Sequence, residues 1–245
     1  MAAGLGSRLG KLGKNIPKGM ITIFGKTLIE RQIEIFHNCG INDITIITGH
    51  NSEVIKYPNV DYIKNPNYAT TNMNESLFCA REKFDDSILV SYADIVFEQQ
   101  IIEQILKFRQ DIGVAINLDW KKNYENRTMH PLSEAENVLI ENSNVVQIRK
   151  NITECLSNQK IGEFLGIIKL SKKGAAYILE KYLKLKNNHN GVFHSSSSFQ
   201  KAYLTDMLQE IVDSKMIVYP IVTKGLWMEI DTAEDLKRAE NLLKI

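Results

Sequence analysis

The sequence predicts an α/β protein: a Rossmann-like mixed, mostly parallel sheet with helices on both faces and a small β-hairpin and helical insertion. Two observations carry that expectation. Short β-branched runs alternate with amphipathic segments through the first half of the chain. After residue 118 the alternation gives way to a hairpin pattern, and strand–helix units resume only near the end.

Taken in order, Leu28 to Cys39 predicts a helix, because Leu28, Ile29, Ile33, Phe36 and Cys39 recur near a period of 3.6. Gly40 then supplies the stop. Ile44 to Thr48 and Val60 to Ile63 read as short strands, the first apolar on both faces as a buried strand must be. Asn74 to Phe84 reads as a helix, Ser87 to Ser91 as a buried strand, Gln99 to Arg109 as a helix and Gly113 to Leu118 as a strand. Asn137 to Ile140 and Val145 to Ile148 flank Glu141-Asn142-Ser143-Asn144, a hairpin signal. Phe164 to Leu170 is a further strand, and helices follow at Lys173 to Leu185 and Phe199 to Val212. Between those helices a polar stretch, Asn187 to Ser198, predicts a surface loop. Met216 to Val222 and Trp227 to Ile230 are strands, and Thr232 to Leu243 is a terminal helix capped by Thr232 or Asp231. No internal repeat is evident.

A chain of 245 residues suits one domain. Residues 1–118 and 213–245 form its expected α/β core, and residues 119–212 an expected inserted or lid region. Thirty Lys and Arg against 29 Asp and Glu leave a net charge of +1, which excludes nucleic-acid binding through a bulk basic surface but not a local anion site. The cysteines Cys39, Cys79 and Cys155 have no metal-ligand spacing, and Cys39 and Cys79 are expected to be buried apolar side chains. No apolar run reaches transmembrane length and the start lacks a signal-peptide pattern, so a reducing cytoplasm is the expected location.

The chemistry is concentrated in a few places. Ala2-Ala3-Gly4-Leu5-Gly6-Ser7-Arg8, followed by Pro17-Lys18, places glycines where several backbone N–H groups can turn toward one phosphate, with Arg8 and Lys18 as its countercharges. Read alone, the same glycines also suit any tight turn. Asp94 follows a buried strand, at the sheet edge where ligands sit in open α/β folds. Asp231 stands between a late strand and the terminal helix, a position equally suited to a metal ligand and to an ordinary N-cap. Glu229 faces the same way by strand alternation. The histidines pair with no nucleophile motif, so His37, His50 and His130 are assigned no catalytic role.

Ala-Ala-Gly-x-Gly-x-Arg followed by Pro-Lys resembles the signature of the nucleotidyltransferases that make nucleotide sugars and CDP-alcohols. The resemblance implies a nucleotide-diphospho-sugar transferase-like fold. It further implies that Ala2, Ala3, Gly4, Gly6, Ser7 and Arg8 wrap a triphosphate, that Lys18 stabilises leaving pyrophosphate, and that Asp94 and Asp231 hold Mg²⁺. The family usually has Gly-Asp where this sequence has Ala93-Asp94, and an apolar strand before Ala-Ala-Gly where this sequence has only Met1. A sheet lacking that strand is expected to leave backbone groups unpaired and apolar helix faces uncovered.

The stretch Asn65-Pro66-Asn67-Tyr68 to Ser76-Leu77 is similar to a segment of cytidylyltransferases for choline phosphate and aminoethylphosphonate, which implies CTP as the nucleotide and nominates Thr71, Asn72 and Ser76 beside the cytosine. Further matches, Ser91-Tyr92-x-Asp94-Ile95-Val96-Phe97, Asp119-Trp120, Ala135-Glu136, Gly162-Glu163-Phe164-x-Gly166 and Lys201 to Gln209, resemble the branch found beside or fused to phosphoenolpyruvate mutase. Such an enzyme is therefore a candidate neighbour. A small cationic acceptor would suit Trp120, Trp227, Glu163, Glu229 and Asp206, with Arg127 and Lys150 toward its phosphonate. The middle hairpin and the helix around Tyr203 are candidates for a lid or a homodimer contact. A sugar-1-phosphate nucleotidyltransferase and a catalytically silent nucleotide-binding domain are the alternatives.

Overall fold

In the computed structural model, residues 1–4, 16–125 and 127–243 are described. The elements run β1 (Thr22–Ile23), β2 (Lys26–Thr27), α1 (Leu28–Asn38), β3 (Thr45–Thr48), β4 (Asp61–Lys64), α2 (Met73–Phe78), β5 (Ile88–Ser91), β6 (Ile95–Phe97) and α3 (Gln99–Leu106). They continue with β7 (Ile112–Asn117), β8 (Glu136–Glu141), β9 (Asn144–Lys150), β10 (Gln159–Leu170), α4 (Lys172–Asn188), α5 (Leu204–Asp213), β11 (Tyr219–Val222), β12 (Trp227–Glu229) and α6 (Ala233–Leu242).

Helix α1 forms where its apolar spacing requires. Leu28, Ile29 and Ile33 are buried on one face, and Thr27 closes the start with a capping box, its side chain accepting from Glu30 N at 3.0 Å. Gln32 is also buried, and its Nε2 donates to Tyr92 O and Ile95 O at 3.0 and 2.8 Å. Those two bonds bracket Asp94 and fix the turn that carries it.

The sheet is mixed. Strand β11 runs parallel to β7, whereas β10 is antiparallel to β7, β8 and β5, and β8 to β9. Its antiparallel share is larger than strand–helix alternation suggests, because β10 is a single strand of 12 residues that serves both the hairpin and the central sheet. Its first half pairs with β8 through Glu163↔Asn137, and its second half with β5 from Ile167↔Ser91 onward. The change of neighbour falls at a register shift between Phe164 and Ile168 that contains Gly166 at φ +72°. A Cβ at Gly166 would stand 2.5 Å from the Tyr92 ring, so the bend needs glycine for both its backbone and its space.

The main core lies around β5, β7 and β10, with Ile102, Ile112, Ile116, Leu165, Phe199 and Leu208 all at most 2% exposed. Several expected elements are shorter or interrupted. The segment from Asn74 is a helix only to Phe78, followed by a 3-10 turn at Arg81–Lys83, and the segment from Phe199 begins as a 3-10 turn before α5. The polar stretch after α4 is tied down: Phe193 is buried against Phe199, and Ser196 is buried. Cys39 and Cys79, expected inside, are half-buried, and Cys155 is exposed.

Strand β3 pairs with β4 and β5 with β10, and a groove of about 580 Å³ lies between β3 and β5. Apolar side chains of α1 and α2 with neighbouring strands, among them Ile29, Ile33, Phe36 and Leu77, line it. Met1 and Ala2 cross one end, where Ala2 N donates to Ile47 O at 2.7 Å and Ala93 N to Met1 O at 3.1 Å.

Candidate active site

A second cavity, about 350 Å³, opens where β10 changes partner. Asp94 and Asp231 meet there because of strand register. Strand β12 is antiparallel to β6 with Glu229 opposite Ile95, so the residue before Ile95 and the turn after Glu229 emerge at the same end. Ile230 N donates to Asp94 O at 2.8 Å and locks the two turns together. Thr232 is the N-cap of α6, with Asp235 completing its capping box, so the Asp231 carboxylate is not used as the cap.

Lys18 enters from a 3-10 turn that starts after Pro17. Its Nζ donates to Asp94 Oδ2 at 3.1 Å and also to Asp231 Oδ1. Burial alone would lower the Lys18 pKa, but Asp94, Asp231 and Glu229 outweigh it and hold the ammonium well above its usual range. Burial likewise opposes ionisation of Asp231, yet the hydrogen bond from His130 and the Lys18 charge bring its carboxyl well below the usual range. Two carboxylate oxygens converging on one positive atom are the donor arrangement a hard divalent cation uses, so the residues fit Mg²⁺. His130, Glu229 and Asp231 also offer donor atoms within 4.8 Å of one another.

His130, assigned no role above, lines this cavity with Nδ1 3.3 Å from Asp231 Oδ2. Its loop is pinned to α6: Arg127 Nε donates to Asp235 Oδ1 at 2.6 Å, and the Glu234 carboxylate accepts from Thr128 N and Met129 N at 2.9 and 2.8 Å. No sequence motif marks such a contact between a loop and a helix about 100 residues later.

On the side toward the chain start, Ala3, Gly4, Tyr68, Thr71, Asn72 and Ser76 line the cavity, while Ala2 is buried beside Thr48. Gly6, Ser7 and Arg8 lie outside the described residues. Buried Asn65 organises this wall, its Nδ2 donating to Thr71 Oγ1 at 3.0 Å and Ser76 Oγ at 2.9 Å. Asn72 caps α2, accepting from Met73 N at 2.9 Å, and its Nδ2 donates to Lys201 O at 3.1 Å, so its amide is already engaged structurally.

On the opposite wall stand Glu136, Glu163, Glu229, Tyr92, Tyr203 and Trp227. Glu163 is 2% exposed, and its Oε1 accepts from Tyr124 OH at 2.5 Å. Its Oε2 has no hydrogen-bond partner among the described residues. Burial pushes the Glu163 carboxyl up to about 7 against the opposing pull of Tyr124 and Arg127, and burial takes Glu136 to about 7 despite Lys150. Glu229 rises well above the carboxylate range through burial and the neighbouring Asp231 and Asp94. Lys150 lines the cavity but is paired with Glu134 at 2.8 Å.

Three nominated acceptor residues lie elsewhere. Trp120 is a core residue, 3% exposed, whose Nε1 donates to Ile161 O. Arg127 is turned away into its ion pair with Asp235. Asp206 is 4% exposed and holds the preceding loop and the start of α5, accepting from Ser195 N, Ser195 Oγ, Ser196 Oγ and Tyr203 N. Trp227 does reach the cavity, with its Nε1 fixed on Leu165 O at 2.9 Å.

The family described as MobA-like NTP transferase domain matches residues 1–167. The CTP:phosphoglutamine cytidylyltransferase of Campylobacter jejuni is 26% identical, over 97% of this chain and 96% of its own. The choline-phosphate cytidylyltransferase of Streptococcus pneumoniae is 34% identical over 46% of this chain and 48% of its own. Among solved structures, the CTP:phosphocholine cytidylyltransferase of Streptococcus pneumoniae superposes with a TM-score of 0.72 at 24% identity, covering 99% of this chain and 96% of that one, which establishes a shared fold.

Proposed function

The chain belongs to the MobA-like NTP transferase family, and from that premise we propose that it transfers the cytidylyl group of CTP to a small phosphate- or phosphonate-bearing acceptor with a cationic amine, such as 2-aminoethylphosphonate or phosphocholine. The observation that carries this reading is the meeting of Asp94, Asp231 and Lys18 at one point of one cavity. CTP is supported by the names of the relatives and by the small polar wall of Thr71 and Ser76, whose hydroxyl oxygens, held by buried Asn65, can read a base edge.

In the proposed reaction an acceptor oxygen attacks the α-phosphorus in line. A new P–O bond forms, the bond to the β-phosphate oxygen breaks, and pyrophosphate leaves with the electron pair. Both partners are anionic, so charge neutralisation and alignment dominate the barrier. Asp94 and Asp231 would hold Mg²⁺, which when bound supplies positive charge at the phosphate oxygens. Lys18 then turns from the aspartates to the leaving pyrophosphate, with Gly4, Gly6, Ser7 and Arg8 around the triphosphate. The attacking phosphate or phosphonate is already ionised at neutral pH, so no general base is needed. At the far wall Glu136, Glu163 and Glu229 give the cavity an acidic end that suits an amine. No helix among the described residues is long and apolar enough to cross a membrane.

Incubation with CTP, UTP, dTTP or GTP, each with aminophosphonate, phosphocholine or hexose 1-phosphate and a coupled pyrophosphatase, tests the reading. Phosphate release is expected with CTP and an amine-bearing acceptor. Release with UTP or dTTP and a hexose 1-phosphate alone refutes it.

A further inference from the structure

Resting on that assignment of the acceptor end, we infer that Glu163 reads the acceptor's amine through its free Oε2, so that the site selects an ammonium bearing N–H donors over a fully methylated one. A buried carboxylate oxygen without a partner is unfavourable unless a ligand supplies the donor. Glu163 is fixed for that task. It lies on β10 immediately before the bulge, its Oε1 is held by Tyr124, and it lines the cavity.

Among the described residues no cation is spare for it. Of the cavity lysines, Lys18 is held by Asp94 and Asp231, and Lys150 by Glu134. Arg127, the cation that acts on Glu163 through space, is bonded to Asp235. The proximity of Glu136 adds a like charge that a bound ammonium would relieve. A trimethylammonium has no N–H to give Oε2 and depends instead on open aromatic faces. Here the Tyr203 ring of the cavity is already covered by a cation, with Lys150 Nζ 5.4 Å from its centroid.

Phosphoethanolamine and phosphocholine differ only in three N-methyl groups and make a matched pair of probes. Each is titrated calorimetrically into the full chain with Mg²⁺ and α,β-methylene-CTP, which cannot be turned over, and into Glu163→Gln under the same conditions. Gln retains the shape of Glu and an oxygen for Tyr124, and a melting curve for each protein confirms folding. Wild-type protein is expected to prefer phosphoethanolamine by at least about tenfold, the weight of one good charge-assisted hydrogen bond. Glu163→Gln should lose most of that preference by weakening phosphoethanolamine much more than phosphocholine, while leaving the nucleotide unchanged. Equal or tighter binding of phosphocholine to wild type, or equal weakening of both ligands in Glu163→Gln, overturns the inference. With CTP itself in place of the analogue, a preserved binding preference without cytidylyl transfer sinks the reaction and leaves Glu163 as the amine reader.

Discussion

Glu163→Gln should also change how stability depends on pH. Burial raises this carboxyl from 4.5 to about 7 in the folded chain, so between those values the native state holds a proton that the unfolded chain releases. A group with a raised folded pKa contributes stability that is complete below its unfolded pKa and lost as pH rises through the folded one. A difference of about 2.5 pKa units corresponds to about 3 kcal/mol, lost between pH 4.5 and 7 and constant above. Gln does not titrate and removes that loss. It also places an amide where Oε2 was, at a cost of roughly 1–3 kcal/mol that is the same at every pH. The diagnostic quantity is therefore the difference between two conditions. Relative to wild type, Glu163→Gln gains about 3 kcal/mol on going from pH 4.5 to pH 8. Urea unfolding followed by far-UV circular dichroism at several pH values measures it, and an offset from wild type that stays constant across the range refutes the account of Glu163.

Three other substitutions probe residues around the cavity. Arg127→Met strands the fully buried Asp235 carboxylate and should destabilise the chain by about 3–5 kcal/mol in urea unfolding; a loss under about 1 kcal/mol would show that the pair is dispensable. Gly166→Ala places a Cβ 2.5 Å from the Tyr92 ring at φ +72°, so roughly 1–3 kcal/mol should be lost and the KM for the acceptor raised, whereas a wild-type melting temperature would contradict the close packing. Asp206→Ala frees Ser195, Ser196 and Tyr203 N together and should cost about 2 kcal/mol or more of stability without altering the KM for the acceptor; a selective KM effect would return Asp206 to the substrate site.

Much of this arrangement is legible in the sequence because it is local. The period of Leu28, Ile29 and Ile33, the Thr27 and Thr232 caps and the polar break between β8 and β9 each depend on neighbours within about one turn of helix or strand. Lys18, Asp94 and Asp231 are legible as parts of a spaced motif. The acceptor wall is legible only in part: Glu163, Glu229 and Trp227 reach the cavity, whereas Trp120, Arg127 and Asp206 are sorted away from it by long-range pairing. Arg127 has the composition of a surface cation and is buried only because Asp235 stands opposite it. Asp206 resembles a ligand carboxylate until the loop folds back onto it. His130 joins the site only through the docking of its loop on α6. Glu163, nominated from the sequence, carries a local signal as well. A charge in the predominantly apolar run from Ile161 to Leu170 is costly unless something pairs with it.

The proposed reaction requires Asp94 and Asp231 to share one divalent ion beside the triphosphate. Mn²⁺ binding in the presence of CTP, read by loss of its free electron paramagnetic signal, tests this in wild type, Asp94→Asn, Asp231→Asn and the double variant. Each single variant should weaken Mn²⁺ by at least about tenfold, and the double variant little further, because one ligand's loss already breaks the shared site. Unchanged Mn²⁺ affinity in either single variant, or losses that simply add in the double variant, would contradict it.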